Sequence, residues 1–306
     1  MKPLICFFLL LFCAGASQKR NPHMTQEERK HLEAFFELLV RSHDLAYTLF
    51  GEKPFSIADY QSAPAFTYPF LTFEEGWDTW LKYNHLFPSK NFVLRRIDCG
   101  NMGRHQIKEI VVINKRAALD TLNTNIKTFQ DQLHTKATTE EILSEMLKND
   151  EFLKTVMDSS ERLGILLGYG NRNAKAFKKR TDLMVAIKKL SSSPFKEQLD
   201  HLNPQSLFFV KHCSSMLFES EPAVISSNVI SLGEELNEIV SHLDPIDFPG
   251  SDFLLEKIQP PIFAAVQNDP ETKRLYKSYE DTRERILDAY RDKSIFEVTI
   301  NQWTAQ

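Results

Sequence analysis

Two short stretches of the chain decide its fold: Phe92-Val93-Leu94-Arg95-Arg96 and Ile107-Lys108-Glu109-Ile110-Val111-Val112-Ile113. Both are rich in the β-branched and apolar residues that are enriched in strands. The segment Cys99-Gly100-Asn101-Met102-Gly103, which lies between them, contains the glycine and asparagine that are typical of turns. The sequence therefore predicts an antiparallel hairpin near residues 92–113, and with it a small antiparallel sheet.

Helical patterns flank this hairpin on both sides. From Lys115 onward, apolar residues recur at the period of an α-helix as far as Leu133. Elsewhere, three pairs of residues have the spacing of a capping box, in which two side chains satisfy backbone N–H groups at the start of a helix. The pairs are Thr25 with Glu28, Thr138 with Glu141, and Asp158 with Glu161.

Glycine and proline mark the end of the first helix. Its apolar positions continue to Phe50, and Gly51 and Pro54 stop it. Residues 52–72 are rich in proline and aromatic side chains, and they are predicted to form an irregular segment. A short helix is expected to follow from Phe73 to about Leu86.

The second half of the chain is also mainly helical. A long helix is expected over residues 171–190, after Gly168 and Gly170. Asp269-Pro270 combines a capping residue with proline at the first helical position, and it opens the clearest helix of the chain, 270–292.

The chain divides into a leader and one folded domain. Residues 1–16 are read as a signal peptide, residues 17–24 are polar and predicted to be disordered, and residues 25–306 form one domain with a hinge near 191–194. Two further apolar runs are candidates for extra strands: Leu207–Val210 and Ile262–Val266. The predicted fold class is mostly α (α+β), a helical domain with a small antiparallel sheet.

The N-terminus has the three parts of a secretory signal. Met1-Lys2-Pro3 is a short basic start, Leu4–Phe12 is apolar, and Ala14-Gly15-Ala16 has the small residues that a signal peptidase reads. Cleavage after Ala16 would leave Ser17 as the mature N-terminus. Because the apolar run is shorter than the roughly 20 residues that span a bilayer, the sequence predicts export to the periplasm, the cell envelope or the exterior.

Cys13 leaves a second processing route open. A lipoprotein signal also ends at a cysteine, which becomes lipidated, although a small residue precedes that cysteine and here Phe12 does. Lipidation at Cys13 and an uncleaved anchor remain alternatives to cleavage after Ala16.

The composition is that of a globular protein, with 42% hydrophobic and 25% charged residues and a formal net charge of −4. This balance argues against a nucleic-acid partner, which usually requires a basic domain. No apolar run after the signal approaches the length of a membrane span, so no transmembrane helix is predicted in the mature chain. Cys99 and Cys213 remain after cleavage, and the sequence leaves their pairing open.

The segment 50–92 is rich in aromatic side chains, and Trp77 and Trp80 are three residues apart, so they share a helix face. An exposed aromatic strip of this kind could bind a glycan or a partner protein, because aromatics supply a large contact area at a low entropic cost. The alternative is that these side chains fill a core.

The helix predicted over residues 171–190 is basic and includes Lys178, Lys179 and Arg180. These three residues are a candidate surface for anionic lipid or an acidic partner, which would give the protein a peripheral membrane contact. The alternative is a solvated face whose charges are balanced by acids elsewhere.

Catalytic, cofactor and metal motifs find little support. Gly168-Tyr169-Gly170-Asn171-Arg172-Asn173 begins like a dinucleotide fingerprint, but Asn173 stands in the place of the third glycine. Cys99 with His105 and Cys213 with His212 are weak candidates for a nucleophile and its base. We therefore predict no catalytic residue, no cofactor and no metal site.

Two segments carry a resemblance to a protein family. They resemble segments of uncharacterised exported proteins of Chlamydia-like and other intracellular bacteria. The first is Leu49-Phe50-Gly51-Glu52-Lys53-Pro54-Phe55-Ser56. The second is Leu163-Gly164-Ile165-Leu166-Leu167-Gly168-Tyr169-Gly170, which is followed by Asn171 and Ala174. The likeness extends to the charged, Tyr-containing C-terminal helix. It implies an envelope or host-facing compartment, and it implies no activity and no catalytic residue.

The sequence thus favours a non-enzymatic exported protein of the envelope or host interface that binds another macromolecule, either a protein or a glycan. A secreted hydrolase of unrecognised type and a lipoprotein at the membrane surface remain as alternatives.

Overall fold

The structure is a computed structural model, and it describes residues 24–62, 67–191 and 263–306, with short pieces at 235–236, 238, 243–245 and 261. The fold is mostly α with a small three-stranded antiparallel sheet, which confirms the predicted class. Several segments named in the sequence analysis lie outside the described residues. They are the signal region, the segment 17–23, the residues after Ser191 in the predicted hinge, the run Leu207–Val210 and Cys213.

The elements of the first half, in chain order, are α1 (Gln26–Ser42), α2 (Leu45–Phe50), β1 (Phe55–Gln61), α3 (Thr67–Tyr83), a 3₁₀ turn (Asn84–Leu86), β2 (Phe92–Met102) and β3 (His105–Asn114). They are followed by α4 (Lys115–Gln132), α5 (Thr139–Lys148), α6 (Asp150–Met157), α7 (Ser160–Leu166), α8 (Asn171–Ser191), β4 (Leu243–Pro245), β5 (Ala264–Val266), α9 (Pro270–Tyr290) and α10 (Ile295–Ala305).

The predicted hairpin is present and longer than expected. β2 and β3 pair antiparallel up to Met102 opposite His105, so that most of the segment predicted as a turn belongs to the strand. The turn itself is tight, and Gly103 in it has a φ of +63°, a conformation that favours glycine.

The prediction of an irregular segment over residues 52–72 is wrong. β1 forms there and pairs antiparallel with β3, from Phe55 opposite Ile113 to Gln61 opposite Ile107, giving the strand order β1-β3-β2. α3 also begins at Thr67 instead of Phe73, with Pro69 in its first turn. Proline stops the interior of a helix, but the first turn tolerates it because its N–H would have no intrahelical partner there.

The sheet separates two hydrophobic cores. Ile110 and Val112 of β3 face a core shared with α1, α2, α3, α9 and α10. Val111 and Ile113 face the opposite core, which α4, α5, α6 and α7 complete. All four side chains are fully buried, which explains why the strand is an uninterrupted apolar run instead of an alternating one.

Two helix boundaries differ from the prediction. The first helix breaks into α1 and α2 at Asp44, whose left-handed backbone (φ +59°) cannot continue a helix. The prediction of a capping box at Asp158 and Glu161 is wrong, because Ser159 is the N-cap of α7. The Ser159 side chain accepts a hydrogen bond from the backbone N–H of Arg162.

The other predicted helix starts are confirmed. Thr25 and Thr138 each form a complete capping box with the Glu three residues later. Asp269 caps α9, with Pro270 at the first helical position. Of the predicted strand Ile262–Val266, the residues Ala264–Val266 form β5, which pairs with β4.

α1 and α3 approach each other at Gly76. A Cβ atom built on Gly76 would lie 2.3 Å from the Cβ atom of Phe35, whose side chain is fully buried. The absence of a side chain on Gly76 therefore sets the spacing of these two helices.

Replacing Gly76 by alanine tests this spacing. We expect Gly76→Ala to lower the free energy of unfolding by about 1–3 kcal/mol, because the added methyl group overpacks the contact. Alanine is the better helix former by about 1 kcal/mol, which works in the opposite direction. Urea denaturation measures the change, and Asp78→Ala, on the exposed side of the same helix, is the control. A Gly76→Ala protein as stable as wild type would contradict the close approach.

Candidate functional site

Trp77 and Trp80 do not form an exposed strip, and their assignment to an interaction surface is wrong. They are 8% and 5% exposed and belong to the first core. The ring of Trp80 packs edge-on against Phe36 and Trp303, with centroid distances of 5.5 and 5.4 Å. Their spacing puts them on one face of α3, as predicted, but that face points inward, since it continues the apolar stripe that includes Phe73.

The outer side of α3 carries apolar residues that the sequence reading missed. Tyr68 is 74% exposed, Leu71 47%, Leu81 53% and Leu86, in the following turn, 42%. Elsewhere in the described residues the one other exposed large apolar side chain is Phe177. The signal that could have found them is their position outside the inward stripe, once the helix is known to start at Thr67.

Two acids lie between the apolar ends of this surface. Glu75 and Asp78 are both exposed, and the Glu75 carboxylate lies 3.6 Å from the Nε2 atom of His31. We call the set Tyr68, Leu71, Glu75, Asp78, Leu81 and Leu86 the α3 face. It combines apolar contact area with negative charge.

Glu74 anchors α3 to the sheet beneath this face. Its carboxylate accepts hydrogen bonds from the Nζ of Lys108 at 2.8 Å and from the hydroxyl of Tyr60 at 2.7 Å, and Arg96 lies at 3.3 Å. Partial burial acts to raise the pKa of Glu74, but these donors outweigh it and hold the pKa below its ordinary value. The contacts of Glu74 therefore hold α3, and with it the α3 face, in place against the sheet.

Two of the three candidate basic residues on α8 are paired with acids of the same chain. Lys178 pairs with Asp182, and Lys179 pairs with Glu235. The guanidinium of Arg180 lies 4.7 Å from the ring centroid of Phe177. These contacts favour the reading of α8 as a helix with balanced charges.

The turn that begins like a dinucleotide fingerprint has another role. It follows the helix α7, whereas a fingerprint follows a strand. The carboxylate of Glu271 accepts hydrogen bonds from the backbone N–H groups of Asn171 at 3.0 Å and Arg172 at 2.8 Å. The anion-binding end of α8 is thus occupied by an acid from α9, 100 residues away in the sequence.

Neither candidate cysteine pair is supported by the described residues. Cys99 lies where the β2–β3 register shifts between Asp98 and Gly100, and the Nδ1 of His105 contacts the backbone oxygen of Ser62 instead, at 2.8 Å. Cys99 is exposed, but partial desolvation of its sulfur and the nearby Glu109 carboxylate raise the pKa of the thiol to about 12, which makes it a poor nucleophile. Cys213 lies outside the described residues.

The two segments that carry the family resemblance meet in the structure. The side chain of Lys53 is fully buried, and its Nζ donates to the backbone oxygen of Leu167 at 2.6 Å. The same Nζ lies 3.8 Å from the carboxylate of Asp44 and 5.0 Å from the centroid of the Tyr169 ring. We call these four residues, with Tyr279, whose hydroxyl donates to the Gly168 oxygen, the Lys53 junction.

The Lys53 junction holds the strongest pKa shift of a basic group in the described residues. Burial lowers the pKa of Lys53 to about 8, and the Asp44 carboxylate opposes part of that shift. Burial likewise raises the pKa of Asp44. Because the amine is sealed from solvent and donates to a backbone oxygen, its role is to join segments, and it offers no access to a substrate.

No family model, curated protein or solved structure matches the chain. The family resemblance therefore stays a prediction. Within the described ranges, no group of three or more His, Cys, Asp and Glu side chains could hold a metal ion. In the same ranges, none of the helices combines the length and the apolar character that crossing a membrane requires.

Titration of Lys53 has a measurable consequence for stability. Between its folded pKa of about 8 and its unfolded value of 10.5 the lysine is protonated mainly in the unfolded chain, so the free energy of unfolding rises with pH in that window. Relative to Lys53→Met, wild type should gain about 2 kcal/mol between about pH 7 and pH 9.5. Denaturant titrations across this range measure the gain.

Lys127→Met, at an exposed lysine of α4, is the matched control for the loss of a positive charge, and it should not reproduce the rise. If the free energies of unfolding of wild type and Lys53→Met changed with pH in parallel across the range, the lowered pKa of the buried Lys53 would be wrong.

Proposed function

We propose that this chain is an exported, non-enzymatic protein of the cell envelope or host interface that binds another protein through the α3 face. The observation that carries the proposal is the collection of Tyr68, Leu71, Leu81 and Leu86 on one exposed segment. Large exposed apolar side chains that are gathered on one segment beside polar residues are typical of interaction sites. The signal-like N-terminus and the resemblance to exported proteins supply the compartment.

The composition of the α3 face favours a protein partner over an anionic membrane. Glu75 and Asp78 lie between the apolar residues, where they would repel acidic lipid headgroups. A protein surface can instead place cations opposite these acids, and the apolar ends supply the contact area.

Site-specific photo-crosslinking tests the face. A crosslinker at Leu71 or Leu81, in the protein expressed in its native source, should give the same discrete adduct, since both positions would lie under one partner. The adduct should disappear in the Tyr68→Ser/Leu86→Ser variant, whose stability should change little because both residues are exposed.

The control position is Glu284, which is exposed on α9. Adducts of equal yield at Leu71, Leu81 and Glu284, or no adduct at the two leucines, would contradict binding through the α3 face.

The processing of the N-terminus is tested by the mass of the mature protein. We expect the chain from the native source to begin at Ser17, because the small residues up to Ala16 have the spacing of a signal-peptidase site. A lipidated chain that begins at Cys13 would instead support the alternative of a membrane-tethered lipoprotein. A chain that retains Met1 would contradict both processing routes.

A further inference from the structure

We propose that the α3 face receives a cationic amphipathic helix of the partner protein, packed obliquely across α3. This inference rests on the proposed function and adds the chemistry of the partner.

The side chains of the α3 face lie on one side of α3 and can form an oblique helix–helix seam. Tyr68, Leu71, Glu75 and Asp78 follow one another at intervals of three, four and three residues, and Leu81 comes three residues later. At about 100° per residue these five side chains occupy a sector of roughly 140° of α3, with Tyr68 at one edge and Leu81 at the other. They therefore form an oblique stripe, which a second helix can cross at an angle. From Tyr68 to Leu81 the stripe is about 20 Å long, at 1.5 Å per residue.

The centre of this seam is acidic, and that fixes the charge of the occupant. Glu75 and Asp78 hold the two middle positions, where a helix that is apolar throughout would leave their carboxylates desolvated and unpaired. Lysine or arginine at the facing positions would pair with them. The complementary helix is therefore apolar at both ends of its contact stripe and basic in the middle.

Neighbouring charges on α1 leave the two acids available. Lys82, the nearest basic residue at the C-terminal end of α3, is paired with Glu28, to which the hydroxyl of Tyr83 also donates. His31 lies 3.6 Å from Glu75, and the Glu75 side chain remains half exposed. An incoming cation can therefore reach both carboxylates without breaking the contacts of Glu28.

The α3 face is also preorganised for such an occupant. Gly76 lets α3 sit directly on Phe35 of α1, and Glu74 ties the helix to Lys108 of the sheet. A rigid helix loses little conformational entropy on binding, which favours affinity from a limited contact area.

Binding of two designed helical peptides tests the inference. Both carry leucines at the two ends of the contact stripe, and the central positions are lysine in one and glutamate in the other. We expect the intact protein to bind the lysine peptide at least about tenfold more tightly, measured by fluorescence anisotropy at low salt. The Glu75→Lys/Asp78→Lys variant should reverse the preference and bind the glutamate peptide.

Glu284→Lys/Asp288→Lys is the matched control, because it makes the same charge change at exposed acids of α9. It should keep the preference for the lysine peptide. An unchanged preference in the Glu75→Lys/Asp78→Lys variant, an equal loss of preference in the control, or no binding of either peptide would overturn the inference. So would a wild-type protein that binds phosphatidylglycerol vesicles through the α3 face.

The peptide and crosslinking results separate the two proposals. A partner adduct at Leu71 without any preference between the peptides would overturn the cationic helix and leave the proposed function standing. If neither the adduct nor the peptide preference is observed, the cationic helix and the proposed function are both overturned.

Discussion

The buried ammonium group of Lys53 is the constraint on which much of this structure depends. A charge without access to water must find its partners inside the protein, and the partners of Lys53 come from different parts of the chain: the oxygen of Leu167, the carboxylate of Asp44 and the ring of Tyr169. The loop before β1 is thereby held against the turn between α7 and α8. This contact joins elements that serve the two cores on opposite faces of the sheet.

Local signals account for what the sequence predicted well. The hairpin and the capping boxes at Thr25 and Thr138 depend on residues a few positions apart, and they are where the sequence placed them. β1 was missed because the prolines around it outweighed its alternating pattern, although Pro54 only precedes the strand. The break at Asp44 was missed because the apolar spacing continues across it while the backbone does not.

The sequence predicted the segment that contains the candidate site, but it did not predict which residues of that segment are exposed. The aromatic density of residues 50–92 pointed to the correct segment, yet the periodicity that grouped Trp77 with Trp80 could not say which side of α3 meets the core. That choice depends on Phe36 and Trp303, and Trp303 is more than 200 positions away in the sequence. The cap that Glu271 forms on α8 is another such contact, and no local pattern reveals it.

The long-range contacts of the last two helices have a consequence for the order of assembly. Phe296 and Trp303 belong to the core that also contains Phe36 and Phe92, so this core stays incomplete until α10 is present. α8 likewise lacks its Glu271 cap until α9 has been made. During synthesis from the N-terminus, most of the chain will therefore leave the ribosome before the core that contains Phe36 can close. Helices with a local cap, such as α5, can form before α10 has been synthesised.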